Sequence, residues 1–147
     1  MNTDIYASPQ AALEHSSDSI APLTLKQILF SFEGRIGRKT FWLASLASAL
    51  VTWAITAGLV AMLVAAINTS SDPASGIITY MALTFLLCIP TGWIGLALQA
   101  KRWHDRNKSA WWILIMFVPL IGPFWVLIEA GFLPGSPETN DYGAPSA

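Results

Sequence analysis

The sequence predicts an all-α integral membrane protein. It has three transmembrane helices, the third broken around Pro119, Gly122 and Pro123, preceded by a short N-terminal amphipathic helix at the membrane interface. Three observations predict this. Hydrophobic residues make up 54% of the 147 and charged residues only 12%, where a soluble domain carries about 25% charged residues. Between Phe41 and Ala100 the only charged residue is Asp72. All eight Lys and Arg lie in two short stretches, the pattern by which a membrane protein sets its orientation.

Residues 1–22 have the composition of a disordered cytoplasmic tail. Asp4, Glu14 and Asp18 stand where a secretory signal would need basic residues and an apolar core, so no cleaved leader is expected. Leu25, Ile28, Leu29 and Phe32 then recur at helical spacing behind Thr24, a good N-cap, and predict an interfacial helix over about residues 24–32.

The membrane domain covers residues 23–133, with spans at about 41–67, 76–100 and 111–132. Residues 41–68 and 76–100 are 28 and 25 residues without a charge, and about 20 suffice to cross a bilayer. Eleven Leu, Ile, Phe or Val in the first stretch favour insertion by about 3–7 kcal/mol. Residues 111–128 hold another eleven in 18 positions. There Pro119 and Pro123 each remove a backbone donor, so two half-helices meeting near the bilayer centre are expected, with re-entry of the chain to the cytoplasmic side as the alternative. A polar C-terminal tail follows over residues 134–147.

Orientation follows from the cations. Lys26, Arg35, Arg38 and Lys39 precede the first span, and Lys101, Arg102, Arg106 and Lys108 lie between the second and third. Cytoplasmic loops carry such residues. The N-terminus is therefore expected inside, in the cytoplasm, and the C-terminus, after three spans, outside, with Glu129 near the outer face.

Helices in lipid associate through small residues. Ala44, Ser48, Thr52 and Thr56 form one stripe, and Thr84, Cys88, Thr91, Gly95 and Gln99 another. Facing them predicts a tight hairpin; the same stripes would serve a homo-oligomer. Cys88, the one cysteine, excludes an intramolecular disulfide and reads as a buried thiol.

Two runs stand out at the basic end: Phe32-Glu33-Gly34-Arg35-Ile36-Gly37-Arg38-Lys39-Thr40-Phe41-Trp42 and Lys101-Arg102-Trp103-His104-Asp105-Arg106-Asn107-Lys108-Ser109-Ala110-Trp111-Trp112. Later come Pro119-Leu120-Ile121-Gly122 and Pro134-Gly135-Ser136-Pro137-Glu138-Thr139-Asn140-Asp141-Tyr142-Gly143. In this order they resemble the domain of unknown function 805 family of small bacterial inner-membrane proteins, over about residues 25–145. Pro123, just after the Pro-x-x-Gly step, departs from that pattern. The resemblance implies a location in the bacterial inner (plasma) membrane, with the periplasm as its outer side, and no established activity.

Function must be argued from the polar residues. Arg35, Arg38, Lys39, Arg102 and Arg106 form a basic cluster suited to anionic lipid or a membrane partner. Glu33, His104 and Asp105 read as a structural polar set, with Arg102 paired to Glu33 or Asp105 and His104 hydrogen-bonded to Asp105. No serine or cysteine nucleophile motif and no metal-ligand set accompanies them, so no catalytic residue, metal or cofactor is assigned and a non-enzymatic role is expected. An alternative is a small oligomeric transporter or channel using the broken third helix and Glu129. A third is a lipid-headgroup enzyme with His104 as general base and Asp105 orienting it. A net charge of −1 offers no attraction to nucleic acid.

Overall fold

The computed structural model describes residues 23–69 and 72–145; the expected cytoplasmic tail at residues 1–22 lies outside them. The described residues are helical, without a β-strand. In order they are α1 (Leu25–Phe30), α2 (Arg38–Thr69), α3 (Pro73–Asp105), a 3₁₀ helix (Ala110–Phe117), α4 (Ile121–Val126) and a π-helical turn (Leu127–Phe132).

Thr24 caps α1 with a full capping box, its hydroxyl accepting from Gln27 N and the Gln27 side chain accepting from Thr24 N. The helix is pinned against α3. Lys101 Nζ donates to the carbonyls of Gln27 and Ser31, and the Trp93 indole donates to Phe30 O at 3.1 Å. Phe32 meets the same indole edge-on, with ring centroids 5.0 Å apart.

The two long helices are 32 and 33 residues, or roughly 50 Å each at 1.5 Å per residue, against an apolar core of about 30 Å. Both are long and apolar enough to cross a membrane. Both outrun the expected spans at the basic end, which places residues 101–105 on α3 rather than in a loop. Their surfaces are what lipid requires. Leu46, Val51, Phe85 and Ile89 are each about 60–70% exposed, a coat of apolar side chains that water would not tolerate. Cys88, expected inside, belongs to that exposed surface.

The α2–α3 packing is uneven. At the far end a Cβ on Gly76 would stand 2.9 Å from Ala66 Cβ, so the backbones meet closely there. Nearer the basic end Gly92 and Gly95 have nothing within 4 Å of where a Cβ would lie. The two helices are thus close beyond the expected stripe, at Gly76 and Ala66, and open at Gly95 within it.

The expected third span is not formed as a through-going helix. Its two halves lie side by side. The 3₁₀ helix runs away from the basic end, the chain turns at Pro119 and Leu120, and α4 with the π turn runs back. Two local causes are visible. Leu120 adopts φ 65, a left-handed conformation that no helix continues through. Pro123 sits in the first turn of α4, where its missing N–H has no intrahelical partner to lose. Gly122 allows the return, because a Cβ there would lie 2.1 Å from Ile115 O. Eight residues of 3₁₀ helix reach about 16 Å, and the helical return over Ile121–Phe132 about 18 Å, roughly half the apolar thickness.

This corrects two further expectations. Glu129 lies at the basic end, not at the opposite face, and residues 134–143 pack there too. The buried core sits at the same end, where Ile36, Phe41, Leu98, Trp103, Val126 and Ala130 come together, with Ile28 of α1 and Ile113 of the 3₁₀ helix packed against them.

Candidate functional site: a salt-bridged polar cluster

α3 ends at the basic end of the molecule, and its last turn carries more buried charge than any other part of the structure. Lys101 and Arg102 are fully buried, Asp105 is 3% exposed and Arg35 6%. Buried charge is tolerated only when paired and hydrogen-bonded. Asp105 supplies the pairing. Its Oδ1 accepts from Arg35 Nε at 3.2 Å and Nη2 at 3.1 Å, and its Oδ2 accepts from Arg102 Nη1. One carboxylate thus joins the segment before α2 to the end of α3.

The remaining guanidinium donors reach backbone carbonyls. Arg35 Nη1 donates to Glu138 O and Gly143 O, both at 2.9 Å, and Nη2 donates to Ser136 O at 2.6 Å. Arg102 Nε donates to Ala130 O at 2.6 Å and Nη2 to Leu133 O. Arg35 therefore holds the C-terminal tail, while Arg102 holds the end of the returning hairpin.

The tail also caps α3. A helix end leaves carbonyls without partners; here Ser136 N donates to Asp105 O at 2.8 Å and Asn140 Nδ2 to His104 O at 2.9 Å. Gly135 makes the approach possible, since a Cβ there would stand 1.9 Å from Asp105 Oδ2. Asn107, at φ 55, turns the chain out of the helix.

A second carboxylate closes the hairpin. Glu129 is 3% exposed, and its Oε1 accepts from Lys108 Nζ and from Arg106 Nε, the latter at 3.3 Å. Lys108 also lies over the Trp112 ring, 4.5 Å from its centroid. Burial pushes the Glu129 carboxyl up, but the Lys108 hydrogen bond and charge, with smaller help from Trp125 and Arg106, outweigh it and hold the group below its ordinary value. Both cations bond Oε1; Oε2 is buried and accepts no hydrogen bond among the described residues.

The sequence-predicted residues therefore divide. Arg35, Arg102, Arg106, Asp105 and His104 are brought together, and so is Glu129, which the sequence placed elsewhere. Arg102 takes Asp105 as its partner; Glu33 is exposed and enters no ion pair among the described residues. His104 stacks on Tyr142, ring centroids 3.9 Å apart and planes 5° from parallel. Its Nδ1 has no hydrogen-bond partner among the described residues, and Asp105 is committed to two arginines, so the expected His104–Asp105 pairing gives way to a ring stack. Arg38 and Lys39 remain exposed at the start of α2. Arg38 donates to Phe132 O at 3.1 Å, and neither cation is in an ion pair among the described residues. Both line a small cavity of 330 Å³ beneath the tail, with Thr40 beside them.

Sequence reasoning missed the tail residues Ser136, Asn140 and Tyr142, and the role of Lys101. The signal was there in the spacing of Gly135, Asn140 and Gly143, which reads as ordered structure rather than polar filler.

The fold and this cluster define a small, all-helical membrane protein clamped at one end by buried arginine–carboxylate pairs. The chain belongs to the family "Protein of unknown function (DUF805)", whose model matches residues 29–144. It is similar to inner membrane protein YhaH of Escherichia coli K12, 32% identical over 114 residues that cover 76% of this chain and 84% of the relative. Inner membrane protein YhaI of the same organism is 31% identical over 115 residues, covering 76% and 82%. The uncharacterized protein YiiR is 32% identical over 115 residues, covering 77% and 65%. No solved structure matches the chain significantly.

Proposed function

We propose that this chain is a non-enzymatic inner-membrane protein that binds anionic phospholipid at a cytoplasmic basic end through Arg38 and Lys39. In this reading α2 and α3 are the two spans, and the segment from Ala110 to Phe132 is a re-entrant hairpin in the cytoplasmic half of the bilayer. Every Lys and Arg of the chain belongs to that end or the segments leading into it, as cytoplasmic segments require. The N-terminus and the C-terminal tail then share the cytoplasmic side.

The observation that carries the lipid reading is the division of labour among the cations. Arg35 and Arg102 are spent on Asp105, and Arg106 and Lys108 on Glu129. Lys101 donates to the carbonyls of Gln27 and Ser31. Lys26, Arg38 and Lys39 are exposed and in no ion pair among the described residues; Arg38 and Lys39 stand together where α2 leaves the apolar layer, and each cation near an anionic surface contributes about 1 kcal/mol. The cluster that would serve catalysis is instead closed: His104 is stacked and Asp105 is held by two guanidinium groups.

The test is lipid retention. Protein purified in mild detergent from membranes of mixed composition is expected to carry acidic phospholipid in excess of its share of the membrane, and the Arg38→Ala/Lys39→Ala double variant to lose that excess. Equal retention of acidic and zwitterionic lipid by the unmodified protein would overturn the proposal.

A further inference from the structure

A groove of 1020 Å³ runs between α2 and α3 beneath α1, and it is apolar almost throughout. Leu29 of α1, Ala47 and Val51 of α2, and Pro90, Ile94 and Gly95 of α3 line it. Small residues at a helix interface ordinarily let backbones close on each other, as Gly76 does with Ala66. Here Gly95 has open space where a Cβ would lie, so the stripe of small residues borders a void. Of the hydroxyls that also line it, Ser48, Thr52 and Thr91 donate to carbonyls of their own helices, so the groove offers water little, and inside a bilayer it is filled by hydrocarbon.

Its basic end fixes what kind of hydrocarbon. Thr40 lines this groove and also the 330 Å³ cavity that Arg38 and Lys39 border. Apolar groove and cationic rim therefore meet at one residue, in the order in which a phospholipid presents acyl chain and phosphate. We infer that the groove between α2 and α3 seats an acyl chain of an anionic phospholipid, its phosphate at Arg38 and Lys39 and its chain running past Ala47 to Gly95. This rests on the headgroup reading above and adds a chain site to it.

The full chain reconstituted in phosphatidylcholine vesicles containing a minor fraction of phosphatidylglycerol tests it, with bromine on the phosphatidylglycerol acyl chains alone. Trp53 lines the groove and is 73% exposed, so the emission that Trp53→Phe removes reports on the groove. Quenching of that emission several-fold beyond the mole fraction of phosphatidylglycerol is expected. Arg38→Ala/Lys39→Ala is expected to return it to the mole fraction. At Gly95 a Cβ meets nothing within 4 Å, so Gly95→Leu extends a side chain from an open position and raises helix propensity; it is expected to fold and to lose the excess quenching. Ala47→Leu provides a second filling variant. If Gly95→Leu and Ala47→Leu fold and leave the excess quenching intact, the chain site is overturned. Quenching at the mole fraction while purified protein still retains acidic lipid overturns the chain site and spares the headgroup reading. Quenching at the mole fraction together with no retention overturns both.

Discussion

Arg35 and Asp105 stand 70 positions apart in the sequence and meet in a buried ion pair, Nη2 to Oδ1 at 3.1 Å, with side chains 2% and 4% exposed. The guanidinium forks onto one carboxylate oxygen and extends its other donors to the tail, a geometry that the point charge of a lysine lacks. Arg35→Ala is expected to remove one of the two arginines from the carboxylate and to free the tail. Removing one partner of a buried pair costs about 3–5 kcal/mol. Thermal unfolding in detergent should show a large drop for Arg35→Ala and for Asp105→Asn, with little rescue by Arg35→Lys. The double variant should lose far less than the sum of the singles; additive losses would mean that the two residues act separately.

Topology gives the second prediction. Reporter fusions after Gly143 are expected to report the same side of the membrane as fusions at the N-terminus, and insertions between Thr69 and Asp72 the opposite side. A Gly143 fusion on the side opposite the N-terminus would require the segment from Ala110 to Phe132 to cross, and the side-by-side hairpin would be wrong.

Much of this architecture was legible in the sequence, and the misreading has a definite origin. The two long helices follow from charge-free length, and the α1 cap from Thr24 with Gln27 three residues on. Pro119 and Pro123 were equally plain as interruptions, but composition does not distinguish a kink from a reversal. What decides it is the left-handed Leu120 and the contact of Gly122 with a carbonyl seven residues earlier, both products of tertiary packing. Once the chain reverses, Glu129 moves from one face of the membrane domain to the other. The basic cluster was legible as a set of residues; its pairing was not, because Asp105 and Glu33 look equivalent until the tail folds over α3.

Glycines separate the two kinds of packing and give the third prediction. At Gly122 a methyl group would press on Ile115 O at 2.1 Å, a backbone atom that cannot swing away. At Gly95 it would meet nothing within 4 Å. Gly122→Ala is therefore expected to open the hairpin and lower the melting temperature markedly. Gly95→Ala should be neutral or stabilising, by up to about 1 kcal/mol from helix propensity. Similar effects from both would mean that Gly122 is not at a close crossing.

The last prediction concerns acid. Glu129 is held below its ordinary carboxyl value by Lys108 and Arg106 despite its burial, so the folded state binds its proton more weakly than the unfolded chain does. A carboxylate depressed in this way adds stability that is complete above the unfolded value, near 4.5, and is lost as pH falls through the lower folded value. The unmodified protein should therefore keep its hairpin closed at neutral and mildly acidic pH and lose stability steeply only below about pH 4.5. Glu129→Gln removes the titrating group and leaves Lys108 and Arg106 facing a neutral amide. It is expected to melt lower than the parent at pH 7 and to show a flatter dependence through the acid range. Thermal melts of both proteins between pH 7 and pH 3, with Trp fluorescence to follow Trp112 and Trp125 beside the pair, check this directly. Parallel curves for the two proteins would mean that Glu129 is not held as a carboxylate between the two cations, and the closure of the hairpin would need another cause.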